Sequence, residues 1–410
     1  MTAYPLTAWT WRRPTLPDME AHHSVSDLLN RLQGRLPLNL LSGSPGDESG
    51  LQGSATAASG GILPAGHQTV DSPATRTGAA ARHRSRQVVT AVRTPDNQLA
   101  LASWRVNADG SVIKTGASGP QPDQVAQVEL VRASKFVVAY RSLAQELRLV
   151  SWDVSNTGAI YRAGESELWP ERVRRVRLCA VDEHLLVTVC IMRNRRLKLI
   201  SWKLGADAAF TPRAEINGSA LDVRDLAAAV IAQKDGHPLV VTVMRVGTGQ
   251  LALQVWQVSP EGMFSPGAQM ALPAVATNLQ AVVDDNGHLI TAMRTLAGGL
   301  RLIGWRLAAD GEIITPLFDT GESVELIRDY RMAPVPGGVV AAVATIDGHL
   351  KLIRWRLATD GAFRRMAESQ TELAPLGPLL FCPELLDGNA PLFAGIGAPQ
   401  GLFQVRTWRM

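Results

Sequence analysis

The chain has 410 residues, 46% of them apolar and 19% charged, with a formal net charge of +4. Such a composition belongs to a soluble globular protein with a substantial core, and the charge balance calls for neither nucleic acid nor an anionic membrane. No run of 18 apolar residues occurs, so no membrane span is expected; three scattered cysteines (Cys179, Cys190, Cys382) and the lack of a CxxC pair argue against a disulfide framework and against that type of zinc site.

At the N-terminus, the first 25 residues lack a basic start followed by an apolar stretch, so a cytoplasmic location is expected. Residues 1–59 form an extension with its own pattern. Thr7–Trp11 (TAWTW) could supply an edge strand. Ser24–Leu36 places apolar residues at 28, 29, 32 and 36 behind Ser26 or Asp27 as a cap, which predicts a short amphipathic helix over 26–36 that covers an opening or an edge. The Gly/Ser-rich stretch 42–59 reads as a mobile loop.

From residue 60 onward the chain repeats. Trp104, Trp152, Trp202, Trp256, Trp305, Trp355 and Trp408 are separated by 48, 50, 54, 49, 50 and 53 residues. Each closes an apolar run, a loop and an alternating segment, and a turn follows. One unit parses as Val125–Val131, Phe136–Arg141, Leu147–Val154 and Ala159–Ala163, four strands in succession. The turn before the fourth strand recurs as Asp109-Gly110, Glu261-Gly262, Asp310-Gly311 and Asp360-Gly361, because glycine supplies the positive φ of a tight hairpin. The last unit ends two residues after Trp408 and lacks a fourth strand, whereas Gly60–Gly66 matches the fourth-strand pattern of Gly110–Gly116. An N-terminal strand therefore completes the C-terminal unit and removes an exposed sheet edge.

Period, strand pattern and end closure over 60–410 resemble those of seven-bladed β-propellers. The resemblance implies an all-β, seven-bladed β-propeller of four-stranded blades, its ring closed by the N-terminal strand joining the C-terminal blade. It is one of class only. The chain has no Gly-His…Trp-Asp pair, paired-Gly kelch signature or full calcium-loop blade, so no family's functional residues carry over.

The candidate ligand-binding residues are arginines. Arg93, Arg141, Arg245 and Arg294 stand 11 residues before their Trp, and Arg193 stands nine before its own. Equivalent positions of successive blades share one face, so these residues would border it with guanidiniums suited to carboxylates, sulfates or phosphates. Arg172, Arg174, Arg175 and Arg177 crowd one first strand, and alternation puts Arg175 and Arg177 together on one side of it. The aromatics that single-stranded nucleic-acid readers interleave with such charge are missing, so nucleic acid is not an expected partner. His184, His237 and His288 precede second strands and read as turn residues too far apart to share a metal; Asp284-Asp285-Asn286-Gly287 lacks the alternating oxygen ligands of a calcium loop. No metal site or cofactor motif is found.

The resulting expectation is a monomeric, non-catalytic binding or interaction module that presents one Arg-bordered face to an acidic small molecule, a glycan or a protein partner. One alternative is an enzyme with its active site at the central channel under an N-terminal lid, drawing on Arg175, Arg177, Asp329, Tyr330 and Glu384. The other is a glycan-binding lectin, which would need the repeat tryptophans exposed.

Overall fold

The structure, a computed structural model, describes residues 62–71, 77–84, 86–233, 236–247, 249–273, 276–323, 325–358, 363–369, 372–373, 379–382, 392–397 and 402–409. All of them belong to the unit Ala58–Met410. The expected helix over 26–36, the loop 42–59, the Asp360-Gly361 turn and Glu384 lie outside the described residues.

Every described element is a strand. In chain order, β1 is Leu63–Asp71, β2 Thr77–Arg84, β3 Gln87–Arg93, β4 Gln98–Val106 and β5 Val112–Arg132. Then come β6 (Phe136–Ser142), β7 (Leu147–Val154), β8 (Ile160–Glu165), β9 (Val173–Ala180), β10 (Leu185–Met192), β11 (Leu197–Leu204) and β12 (Phe210–Asn217). The next eight are β13 (Val223–Ile231), β14 (Leu239–Val246), β15 (Gln250–Val258), β16 (Phe264–Leu272), β17 (Ala276–Val283), β18 (Leu289–Thr295), β19 (Leu300–Leu307) and β20 (Ile314–Asp319). The last are β21 (Ile327–Val335), β22 (Gly338–Thr345), β23 (His349–Leu357), β24 (Phe363–Glu368), β25 (Glu372–Leu373), β26 (Leu379–Phe381), β27 (Leu392–Gly397) and β28 (Leu402–Arg409).

Consecutive strands pair antiparallel into four-stranded sheets, a propeller-like arrangement: β9–β12, β13–β16, β17–β20 and, with the short β25 added, β21–β24. β2–β8 form one seven-stranded sheet, because β5 is the fourth strand of one array up to Gln124 and the first strand of the next from Val125. The remaining sheet has the order β1-β28-β27-β26, with Pro64 opposite Trp408 and Asp71 opposite Leu402. The strand expected at 60–66 thus joins the Trp408 strand but extends to Asp71. Strand β7 covers the residues expected, and β8 falls one residue later than expected at its start.

Burial explains the assignment of strands. Second strands are mostly apolar and largely buried, with a buried Thr in several and an Arg near the end of several; all eight residues of β10 are buried. Fourth strands are largely polar and exposed, as in β12. Among the described residues the core forms seven clusters, each holding one repeat tryptophan and each shared by two neighbouring four-strand arrays. Trp152 packs with Val89 and Leu101 of the preceding array, and Trp408 packs with Val340 and Leu352. At ~25 cal/mol per Å² and roughly 200 Å² buried, each indole contributes about 5 kcal/mol of gross transfer free energy. The tryptophans are therefore the mortar between sheets.

Buried polar groups follow the same repeat. The indole NH of Trp104, Trp202, Trp256 and Trp305 donates to the hydroxyl of Thr90, Thr188, Thr242 and Thr291, each 14 residues earlier, at 2.9–3.2 Å. In the arrays of Trp152 and Trp408 that position is Val138 or Ala394, and both indole NH groups lack a partner among the described residues. One residue before the tryptophan, Ser103, Ser151 and Ser201 donate to the turn carbonyls of Gly158, Ala208 and Gly262 in the next array at 2.6, 3.4 and 2.7 Å. Thr407 makes the same bond to Gly110 at 2.5 Å. These turns dock so closely that a Cβ on Gly116 would come within 2.2 Å of the Gly158 carbonyl oxygen. The Asp-Gly and Glu-Gly turns have the expected geometry, with φ of 91° at Gly110, 88° at Gly262 and 72° at Gly311.

Among the described residues, no helix is long and apolar enough to cross a membrane.

Candidate functional site

First strands β2, β5, β9, β13, β17, β21 and β26 all contribute to the wall of one cavity of about 880 Å³. Its wall is chemically uneven. Gly78, Ala79, Ala80 and Leu380 make a small, apolar side, and β5, β9, β13, β17 and β21 make a polar one.

Neighbouring first strands do not pair as a ladder. Side chains join them instead. The Gln127 amide donates to the Val176 carbonyl at 2.7 Å and accepts from the Val176 NH at 3.2 Å. Arg177 Nε donates to the Leu226 carbonyl at 2.9 Å, the Leu279 NH donates to Asp225 at 3.3 Å, and the Met332 NH donates to Gln280 at 2.9 Å. Each link spans about one repeat. The belt satisfies backbone groups that would otherwise be orphaned beside the cavity.

Ion pairs run along the same wall. Arg177 pairs with Glu129 at 2.7 Å, Arg175 with Asp225, and Arg331 with Asp329 at 3.1 Å. Burial alone would lower Arg177, but Glu129 and Asp225 outweigh it and hold the group above its ordinary value. Arg175 is lowered by burial, which Asp225 only partly opposes. The Tyr330 phenol is raised well above its ordinary value, first by burial and then by Asp225. Its hydroxyl donates to the Asn278 carbonyl. Of the residues weighed for an enzyme, Arg175, Arg177 and Asp329 line the cavity with their charges committed to one another or to neighbours, and Tyr330 is buried behind the wall.

At the end where the first strands begin, the balance changes. β5, β9, β13 and β21 each open with a bulge: the residue after Val125, Val173, Val223 or Ile327 has no partner on the adjacent strand. The four local sequences are Val-Ala-Gln-Val, Val-Arg-Arg-Val, Val-Arg-Asp-Leu and Ile-Arg-Asp-Tyr, with bulge residues Ala126, Arg174, Arg224 and Arg328. A bulge re-aims its side chain out of the strand alternation. Arg174 and Arg224 border the cavity there and are exposed. Beside them lie Arg141 on β6 and Arg195 in the β10–β11 turn, whose carbonyl accepts the Val223 NH at 2.8 Å. Arg195 and Arg224 share Asp222, at 2.7 and 2.9 Å. Arg141 and Arg174 have no carboxylate partner among the described residues, and Arg141 Nε is buried without a hydrogen bond. Burial lowers Arg141, and the charge of Arg93 nearby lowers it further.

In all, seven guanidiniums of the lining (141, 174, 175, 177, 195, 224, 331) face four carboxylates (Glu129 and Asp329 of the lining, with the ion-pair partners Asp222 and Asp225), an excess of three positive charges at this end.

The expected arginines do hold equivalent positions: Arg93, Arg141, Arg245 and Arg294 sit at or next to the ends of second strands, and Arg193 just past β10. They do not share one environment. Arg141, Arg175 and Arg177 line the cavity; Arg93 stands beside Arg141, its Nε donating to Asn97 at 3.0 Å. Arg245 and Arg294 are half-buried, each with an unpartnered Nε, and lie outside the lining; Arg193 is exposed. Arg224, Arg331, Glu129, Gln127 and Gln280 were not singled out by sequence reasoning. Alignment of the first strands on their opening Val or Ile would have revealed the bulge arginines.

The other candidates resolve into turn chemistry. His184 and His237 are exposed, and His288 Nδ1 lies 3.2 Å from Asp284. Asp284 accepts from the backbone NH groups of Asn286 and His288 at 2.9 and 2.8 Å. Among the described residues, no three His, Cys, Asp or Glu side chains cluster to hold a metal.

No protein-family model matches the chain, and no curated protein matches it. Among solved structures, a protein from Lactobacillus plantarum is similar over 72% of this chain and 87% of its own, at 12% identity and a TM-score of 0.50. A triple arginine-to-alanine mutant of AofleA from Arthrobotrys oligospora is similar over 75% of this chain and 91% of its own, at 14% identity and a TM-score of 0.47. The first likeness concerns the fold alone and fits the propeller-like arrangement of sheets.

Proposed function

We propose that the chain closes a ring of seven blades and acts as a non-catalytic binding module, taking an acidic ligand or partner on the arginine-bordered end of its central cavity. Closure is supported by three features of the joint between the last sheet and the first. β1 pairs with β28, Thr407 bonds to Gly110 as Ser103 bonds to Gly158, and β26 meets both β21 and β2. The observation that carries the binding reading is the excess of guanidinium over carboxylate at one end of the cavity. Like charges gathered at one end, with Arg141 half-buried among them, repel one another in the free protein, and a bound anion relieves that cost.

The repeat tryptophans are buried between sheets, none more than 6% exposed, so a sugar-stacking site would have to use other residues. The test replaces Arg93, Arg141, Arg193, Arg245 and Arg294 by Gln in groups of three and measures retention of acidic ligands or partners. Unchanged retention with lowered thermal stability would show that these arginines serve the fold instead. For closure, a chain beginning at Thr77 removes β1; a truncated chain as stable and monomeric as the whole one would refute the ring.

A further inference from the structure

The binding reading leaves the ligand's chemistry open; the bulges narrow it. Arg174 and Arg224 are the same bulge position on neighbouring first strands, β9 and β13. Two successive blades thus aim a guanidinium out of register toward one opening. Arg141 on β6 flanks them on one side, and Arg195 lies between, fixed through its backbone to the start of β13. Asp222 serves Arg195 and Arg224 together, so one carboxylate answers two cations. Arg141 and Arg174 have none among the described residues. The surplus of three charges is spread over three blades and is not focused at one point. A single carboxylate cannot span such an arc, whereas a molecule with several anionic groups can engage it by bidentate contacts. The cavity behind the arc, about 880 Å³, is of small-molecule size.

We infer that Arg174 and Arg224, with Arg141 and Arg195, hold a small multivalent oxyanion, a molecule carrying two or more phosphate or carboxylate groups. This rests on the reading that the arginine-bordered end is the binding end. It differs in the residues responsible: the bulge arginines, and not Arg193, Arg245 or Arg294, are the anchors. Arg175 and Arg177, held by Asp225 and Glu129, form the floor.

The experiment is calorimetric titration of the full chain with tripolyphosphate, citrate and acetate at fixed ionic strength. At least one of the multivalent anions should bind with saturation and about ten-fold or more tighter than acetate. R174Q/R224Q should weaken it by about ten-fold or more, the loss of charge-assisted hydrogen bonds, while R174K/R224K keeps part of the affinity. Comparison of tripolyphosphate with citrate distinguishes phosphate from carboxylate as the preferred group. No saturable binding at about 1 mM of either multivalent anion would overturn the proposal, as would equal affinity in R174Q/R224Q. Affinity lost in R193Q/R245Q/R294Q but kept in R174Q/R224Q would overturn it too, while leaving the wider binding reading standing. If R174Q/R224Q does not fold, protection of Arg174 and Arg224 from phenylglyoxal by the bound anion in the unaltered chain decides the matter. Absence of protection overturns the assignment.

Discussion

The hydroxyl of Thr407 donates to the carbonyl oxygen of Gly110, 297 positions earlier in the chain, at 2.5 Å and out of contact with solvent. The same bond joins Ser103 to Gly158 and Ser201 to Gly262, pairs only 55 and 61 residues apart. Thr407→Val keeps the shape and removes the donor, leaving a buried carbonyl short of a partner. The expected cost is about 1–2 kcal/mol in urea unfolding, close to that of Ser201→Ala. A negligible effect for Thr407→Val beside a clear one for Ser201→Ala would mean that the joint between the termini is not equivalent to the others.

The tryptophan–threonine pairs permit a test in both directions. Thr188→Val orphans the Trp202 indole NH and should cost about 1–2 kcal/mol. Val138→Thr places a hydroxyl where the Trp152 NH has no partner among the described residues, and should be neutral or stabilise by up to about 1 kcal/mol. Thermal midpoints of the two variants, measured together, should move in opposite directions or differ clearly in size.

On the cavity wall, Arg177→Met strands the Glu129 carboxylate, 18% exposed, and frees the Leu226 carbonyl. A loss of about 2–4 kcal/mol is expected, most of it restored when Glu129 is also changed to Met. A double variant no better than the single one would show that the charge pair is not the source of the loss.

Glu325 links β23 and β24 from the loop before β21, accepting from Arg365 at 2.7 Å and Lys351 at 3.3 Å. The Arg365 hydrogen bond, partly opposed by burial, holds its carboxyl below the usual range. A depressed folded value means that the stabilisation is complete above about pH 4.3, the unfolded value, and is lost as pH falls through the folded one. Glu325→Gln should therefore cost about 0.5–1 kcal/mol at pH 7, a modest figure because the pair is partly solvated, and nothing near pH 2. A denaturation series across this range reads the difference; a cost independent of pH would remove the carboxylate from the account.

Much of the fold was legible because its organising residues are rare and periodic. Tryptophan at intervals near 50 residues marks each third strand, and β7 appears at the residues expected from Leu147–Val154. The N-terminal strand was legible from the glycines flanking Ile62-Leu63, which also mark a fourth strand at Val112. The site was less legible, and the reason is geometric. The arginines near the ends of second strands are equivalent in register, yet the two-residue shorter approach to Trp202 leaves Arg193 exposed while Arg141 turns toward the cavity. Bulges disturb the period-two alternation from which faces are read, so alternation sets Arg174 on the side of β9 opposite Arg175 and Arg177, although all three border the cavity. Gln127 and Gln280 carry no sequence signal at all, since their partners are backbone atoms some 50 residues away.

β5 is unlike every other strand in running unbroken for 21 residues from one array into the next. Elsewhere a loop such as 218–222 intervenes between a fourth strand and the following first strand. The two arrays that share β5 are therefore joined by continuous strand backbone, which includes a positive φ of 69° at Gly119 and shifts its register against β4. The looped joints 166–172 and 218–222 lead instead straight into the bulges that carry Arg174 and Arg224.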